Sequence, residues 1–148
     1  MELDEVDLRI LRELVKDGRL SYREVARRVG VSVGTAQSRI QRMEEEGVIR
    51  GYAAIIDYEK LGYTLTVITE VTVSKGKLLD TEKAIAMLPS TCAVYDVTGE
   101  TDAMIVAKFK SREELSNFTK GLLKMPYVER TNTHVVLTTH KEDFRPPI

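Results

Sequence analysis

Residues 21–43 (SYREVARRVGVSVGTAQSRIQRM) constrain the fold of this chain more than any other stretch. Ser21, with Glu24 three residues later, has the capping-box pattern of a helix start. Gly30 suits the left-handed end of that helix, and Ser32 then caps a second one. Apolar residues recur at helical spacing in both segments: Val25, Ala26 and Val29, then Ala36, Ile40 and Met43. Two short helices joined by a glycine-containing turn predict a helix-turn-helix.

The same stretch is strongly basic, with six arginines and one acid, Glu24, between Arg19 and Arg42. Guanidinium groups bind phosphate oxygens bidentately, and short hydroxyl or amide side chains on a recognition helix reach base edges in the major groove. The predicted DNA-binding residues are Arg23, Arg27, Arg28, Ser32, Thr35, Gln37, Ser38, Arg39, Gln41 and Arg42. The alternative is a helical hairpin whose basic face is merely solvated.

Composition limits the classes of partner. A net charge of −1 argues against a protein that coats nucleic acid along its whole surface, but it permits a local basic patch. Cys92 is the only cysteine, which excludes an intramolecular disulfide and favours a reducing compartment. No apolar run approaches the roughly 18 residues of a membrane span, so we expect a cytoplasmic protein without a membrane partner.

The first 56 residues are predicted to form the DNA-binding domain. Asp4 caps a first helix that runs to about Asp17, and its apolar side joins the two helices described above. Leu20 and Val31 are expected to fill the corners of this three-helix unit. Residues 48–57 (VIRGYAAIID) have a strand-like pattern, and a strand directly after a recognition helix occupies the position of a wing.

Residues 57–63 are predicted to be a linker, and residues 64–148 a second domain. The patterns predict strands at 65–73, 92–98, 103–109 and 128–139, with helices at 77–88 and 111–124. This order, β-α-β-β-α-β, is the ferredoxin-like arrangement. The expected fold class is therefore α+β, with an N-terminal winged helix-turn-helix domain followed by a ferredoxin-like domain.

The strand at 103–109 (AMIVAKF) is apolar on both alternating faces. Two helices cover only one face of a four-stranded sheet, so the second apolar set, Met104 and Val106, favours burial against another chain. The alternative is a central strand that is shielded within its own domain. We expect self-association.

The residues give little support to an enzyme. His134 and His140 lack helical metal-ligand spacing and a thiol cluster. Cys92 lies in a predicted strand without a catalytic neighbour, and a buried, inert thiol is the expectation there. No cofactor or metal is predicted, and we expect no enzymatic activity.

The whole chain resembles the Lrp/AsnC family of feast/famine transcription regulators. The resemblance rests on residues 3–32 (LDEVDLRILRELVKDGRLSYREVARRVGVS), on residues 39–62 (RIQRMEEEGVIRGYAAIIDYEKLG) and on VTGETDAMIVAKF at 97–109. It implies DNA binding and dimers that assemble into octamers or related discs. It also implies small molecules, usually amino acids, bound between subunits. Gly34, in the first turn of the second helix of the predicted helix-turn-helix, departs mildly from the family's pattern. Glycine at such a position costs about 1 kcal/mol of helix propensity.

The turn between the two adjacent strands is the predicted effector site: Thr98, Gly99, Glu100, Thr101 and Asp102. A glycine-containing turn exposes backbone N–H groups to a ligand carboxylate, and Asp102 supplies a charge for its ammonium. Without the resemblance, a plain hairpin turn is the simpler interpretation. The expected function is a sequence-specific regulator of amino-acid-related metabolism. The alternative is a stand-alone amino-acid sensor that acts through protein contacts, although such a sensor has no need of an arginine cluster.

Overall fold

A computed structural model describes residues 2–148 and divides the chain into two compact units. One unit runs to Ile55 and also includes Glu142–Ile148, and the other comprises Ile56–Lys141. The predicted division was a DNA-binding domain at 1–56, a linker at 57–63 and a second domain at 64–148. The last seven residues were expected in the second domain, but they group with the first.

Three helices form the first unit: α1 (Glu5–Lys16), α2 (Tyr22–Val29) and α3 (Val33–Glu45). Their N-caps are Asp4, Ser21 and Ser32, each of which accepts a hydrogen bond from a backbone N–H in the first turn. Gly30 ends α2 with φ of 77°, a conformation that glycine adopts at the least steric cost. The predicted helix-turn-helix is therefore present.

The core of this unit contains the apolar residues expected from helical spacing. Ile10 of α1 packs with the buried residues of α2 and α3, which are Val25, Ala26, Val29, Ala36, Ile40 and Met43. Leu20 and Val31 pack against this cluster from the corners between helices, as predicted. Burial of these side chains provides the hydrophobic stabilisation that short helices need.

The predicted wing strand is absent: residues 48–57 form no strand in the described chain. A strand requires a hydrogen-bonded neighbour, and the four strands of the structure pair only with one another. Tyr52 and Ile55 in this segment are consequently exposed. The apolar residues of 48–57 alternate as in a strand, but this alternation alone cannot supply a neighbouring strand to pair with.

The C-terminal residues were expected to be a loose tail, whereas the structure attaches them to α1. Arg12 Nε donates to the Ile148 carbonyl oxygen at 2.8 Å, and Arg145 donates from Nη1 to the Val15 carbonyl oxygen at 3.1 Å. Arg145 also pairs with Asp143 at 2.8 Å. Arg145 thus provides a hydrogen-bond donor for a backbone carbonyl near the end of α1.

The second unit is a four-stranded antiparallel sheet with two helices. Its elements are β1 (Leu65–Val73), α4 (Leu78–Ala86), β2 (Thr91–Asp96), β3 (Ala103–Phe109), α5 (Arg112–Lys124) and β4 (Val128–Val135). The strand order is β2-β3-β1-β4, the ferredoxin-like topology that was predicted. The last strand ends four residues earlier than expected, because its pairing with β1 stops at Val135 opposite Val67.

Both helices cover the same face of the sheet. Val67 and Val71 of β1 are fully buried there, with Ile85 of α4 and Leu122 of α5 in the same cluster. The alternate residues of β1 and β3 remain half-buried, and Met104 and Val106 are among them. The sheet therefore has one open face that is partly apolar. Cys92 is exposed, contrary to the expected buried thiol, because β2 is an edge strand.

A group of ion pairs fixes α3 against α1. The carboxylate of Asp7 is fully buried and accepts from Arg39 at 3.1 Å and from Arg42 at 2.8 Å. Arg39 also binds Asp4, and this hydrogen bond lowers the pKa of Asp4 to about 2. A buried carboxylate is tolerated only when it is paired, so Asp7 holds both arginines at one position.

We predict that Asp7→Asn lowers the free energy of unfolding by about 2–3 kcal/mol, because two guanidinium groups lose their charged partner. Urea denaturation followed by circular dichroism measures this change. Glu5→Gln is the control, since Glu5 pairs with Arg12 at the surface and such pairs contribute at most about 1 kcal/mol. Equal effects of the two variants would contradict a central role for Asp7.

Candidate functional site

The exposed face of α3 presents small and amide side chains. Gly34, Gln37, Ser38 and Gln41 recur at intervals of three and four residues, so they share one face, and all four are exposed. The amides of Gln37 and Gln41 form no hydrogen bond with the described residues, so their donors and acceptors are available to a ligand.

The predicted hydroxyl groups of α3 have partners within the helix. Ser32 Oγ accepts from the Thr35 backbone N–H at 3.0 Å and lies 2.8 Å from the Thr35 hydroxyl. Ser38 donates to the Thr35 carbonyl oxygen at 3.1 Å. Ser32 and Thr35 therefore stabilise the helix start.

Four of the predicted DNA-binding arginines form intramolecular ion pairs. Arg39 binds Asp4 and Asp7, Arg42 binds Asp7, and Arg39 is half-buried. Arg27 binds Glu24 at 2.6 Å, and Arg28 binds Glu24 at 2.8 Å and Glu13 at 3.2 Å. The sequence stretch contained one acid, but the fold brings Asp4, Asp7 and Glu13 of α1 beside it.

These pairs reduce the positive charge that the cluster offers to phosphates. Hydrogen bonds from Arg27, and then Arg28, lower the pKa of Glu24 to about 2. Two other arginines, Arg23 and Arg50, are exposed and form no salt bridge with residues 2–148. Arg50 was not predicted, although its position just after α3 was a usable signal. Arg23 and Arg50 carry unneutralised positive charge in this region, as does Arg9, which donates to the Val29 carbonyl oxygen and forms no salt bridge with the described residues.

The turn from β2 to β3 is tied to the end of β1. Asp102 Oδ2 accepts from the Val73 backbone N–H at 2.8 Å, and the Asp102 N–H donates to the Val71 carbonyl oxygen at 3.1 Å. Thr101 donates its hydroxyl to the same carbonyl at 3.0 Å. Gly99 has φ of 117°, which favours glycine. Asp102 thus has a structural task that the sequence did not predict.

A cavity of about 340 Å³ lies where this turn meets the open face of the sheet. Its lining residues are Glu70, Thr72, Glu100, Thr101, Arg130, Thr131 and Asn132. Of the predicted effector residues, Glu100 and Thr101 line it, whereas Thr98, Gly99 and Asp102 do not. The wall carries two carboxylates and one guanidinium, so it presents both signs of charge to a ligand.

No local sequence pattern identifies the cavity residues of β1 and β4, because the residues that meet there are about 60 positions apart. Antiparallel pairing places Glu70 opposite Asn132 and Thr72 opposite Arg130. Glu70 Oε2 accepts from Asn132 at 2.7 Å and lies 2.9 Å from His134 Nε2. The hydrogen bond to His134, and then that to Asn132, lowers the pKa of Glu70. Glu70 is therefore an oriented, ionised acceptor.

The surroundings of the turn are acidic. Burial raises the pKa of Glu82 in α4, and the charges of Asp96 and Asp102 raise it further. One carboxylate oxygen of Glu82, Oε1, is buried without a hydrogen-bond partner in the described structure. The charges of Asp96 and Asp102 produce a negative potential that favours a cationic group near the turn.

A larger cavity of about 560 Å³ lies along α1 and the C-terminal residues, and none of the predicted site residues lines it. Residues 2–148 contain no group of three or more His, Cys, Asp or Glu side chains that could hold a metal ion. Among the same residues, no helix is sufficiently long and apolar to span a bilayer.

Comparison with known proteins connects both units to one family. A family model for winged helix-turn-helix DNA-binding domains matches residues 3–50, and one for the Lrp/AsnC ligand binding domain matches residues 66–146. An uncharacterised HTH-type transcriptional regulator of Pyrococcus furiosus is 48% identical over 145 residues, which cover 98% of each chain.

Solved structures agree over nearly the full length. Bacillus subtilis LrpC has 32% identity and a TM-score of 0.83, with 98% of this chain and 100% of that chain covered. A transcriptional regulator of Neisseria meningitidis, solved as a complex with L-Met, has 29% identity and a TM-score of 0.89, with coverages of 99% and 97%. Since these matches span the helix-turn-helix and the ligand-binding unit together, the chain belongs to the Lrp/AsnC family of transcriptional regulators.

Proposed function

We propose that this regulator reads specific double-stranded DNA sequences through α3 and that an amino-acid effector in the 340 Å³ cavity modulates its binding. Its targets are genes of amino-acid-related metabolism. The observation that carries the effector proposal is the mixed charge of the cavity wall, where Arg130 faces the same space as Glu70 and Glu100. A free amino acid carries the complementary pair of charges.

On the DNA side, Gln37 and Gln41 form the base-reading set. Glutamine amides bond bidentately to adenine N6 and N7 in the major groove, and both amides have unused donors and acceptors. Arg23 and Arg50 bind phosphates, because no internal carboxylate offsets their charge. The paired arginines, Arg27 and Arg28 among them, contribute less, since their carboxylate partners must first be displaced.

On the effector side, Arg130 binds the ligand carboxylate through its forked donors. Glu70 and Glu100 accept from the ligand ammonium, and the hydroxyl groups of Thr72 and Thr101 complete the polar wall. The Neisseria relative was solved with L-Met, which supports an amino acid as the ligand class here. Thr98, Gly99 and Asp102 lie outside the cavity wall, and Asp102 supports the wall through its hydrogen bond to the Val73 N–H.

We further propose that the protein is a homodimer that assembles to an octamer. The open face of the sheet contains Ile68, Met104 and Val106, half-buried in a single chain, and an apolar face of this kind favours association. A two-fold dimer presents two copies of α3 and therefore requires a pseudo-palindromic operator with half-sites about 34 Å apart, or a multiple of it.

We predict that Arg23→Ala and Arg50→Ala each weaken binding to all duplexes similarly and reduce the salt slope by about one, because each removes one phosphate contact. Gln37→Ala instead changes the preference at one base pair by about 1–3 kcal/mol. Fluorescence anisotropy with a duplex from the promoter of the chain's own gene measures both. Arg112→Ala in α5 is the matched control, and a loss as large in that variant contradicts the assignment.

We predict that at least one of the twenty amino acids raises the melting temperature of the wild-type protein and that Arg130→Gln abolishes the shift. Arg112→Gln removes the same charge outside the cavity, so this variant should retain the shift in melting temperature.

We also predict the effect of a change at Asp102. Asp102→Asn preserves an oxygen acceptor for the Val73 N–H while it removes the charge of the side chain. We expect this variant to keep basal DNA binding and to lose most of its effector response. A full response in both Arg130→Gln and Asp102→Asn would refute the site.

A further inference from the structure

We infer that Gly34 is the point at which the backbone of α3 touches base edges on the floor of the major groove. Because glycine has no side chain, the helix backbone at this position can approach the bases more closely than it could with any other residue. This inference rests on the proposed reading of DNA by α3. It concerns a position that neither charge nor hydrogen-bonding capacity singles out.

Nothing within the protein requires glycine at position 34. Its φ is not positive, so an L-residue adopts the same backbone without strain. A Cβ built at Gly34 meets no described atom within 4 Å, so packing does not exclude a side chain either. Glycine also lowers helix stability relative to alanine, because it loses more backbone freedom on folding. Neither backbone conformation nor packing therefore explains glycine at this position, and its place on α3 carries the inference.

The other glycines of the chain support this contrast. Six have positive φ, and a Cβ at Gly18 would come within 3.2 Å of the Tyr52 ring. Those seven are explained by backbone conformation or by packing. Only Gly34 and Gly121 of α5 are helical, exposed and surrounded by open space. Gly121 lies outside the helix-turn-helix unit, which makes it a matched comparison.

The position of Gly34 indicates what approaches it. It lies in the first turn of α3, and Gln37, Ser38 and Gln41 follow it on the same exposed face at intervals of three, four and seven residues. The N-terminal residues of a recognition helix contact base edges. Glycine is the residue that permits such a close approach of backbone to a ligand. A methyl group at this point would stand between the helix and the bases.

The test compares Gly34→Ala with Gly121→Ala in the full-length protein. Both variants should raise the melting temperature, because alanine favours a helix. We expect Gly34→Ala to bind a duplex from the promoter of the chain's own gene about tenfold more weakly. Its affinity for an unrelated duplex of equal length should stay within about twofold, and its salt slope should not change, because no cation is removed. Gly121→Ala should bind both duplexes like the wild type.

Three outcomes would overturn the inference. If Gly34→Ala binds the promoter duplex as tightly as the wild type, the room at Gly34 has no role in recognition, and the proposed function stands. If it loses affinity equally for both duplexes, Gly34 meets the phosphate backbone rather than base edges. If the wild type itself does not distinguish the two duplexes, the proposed DNA reading fails first, and the inference fails with it.

Discussion

The pairing of the buried Asp7 carboxylate is the interaction on which the three-helix unit depends. The carboxylate joins the first turn of α1 to Arg39 and Arg42 of α3. It also accepts a hydrogen bond from the Asp4 backbone N–H, which completes the capping box at the start of α1. A charge without solvent must be paired, so the two helices have one register in which this carboxylate is satisfied. The orientation of α3 follows from that register. The same pairing partly neutralises both guanidinium groups, although the Arg42 side chain remains 48% exposed.

This arrangement changes how the basic stretch is interpreted. In the linear sequence the arginines outnumber the acids, whereas in the folded unit the acids of α1 and α2 lie beside most of them. Arg28 joins α2 to α1 through Glu13, and Arg39 and Arg42 join α3 to α1 through Asp7. The proposed DNA-binding surface is largely neutral: it contains the amides of Gln37 and Gln41, the open space at Gly34, and the charges of Arg23 and Arg50. Such a surface suits base reading more than nonspecific attraction.

The second unit depends on the central position of β1, as the first unit depends on Asp7. Because β1 pairs with both β3 and β4, its residues Glu70 and Thr72 meet Asn132 and Arg130 on the open face. The β2–β3 turn is bound to the end of the same strand through Asp102 and Thr101. A cavity with both signs of charge results from these two sets of hydrogen bonds. Asp102 supports it from behind the wall, where its carboxylate holds the Val73 N–H.

The sequence by itself determined the elements whose causes are local. Helix caps at Asp4, Ser21 and Ser32, the left-handed Gly30 and the alternation in β1 and β3 depend on neighbours a few residues away, and these predictions were confirmed. The tertiary structure alone decided the contacts between distant residues. It paired the arginines with Asp7, placed Arg130 opposite Thr72, left Cys92 on an edge strand and attached Arg145 to α1. Local patterns fix backbone conformation, but the free energy of an ion pair, a strand ladder or a cavity wall depends on groups that only the fold brings together.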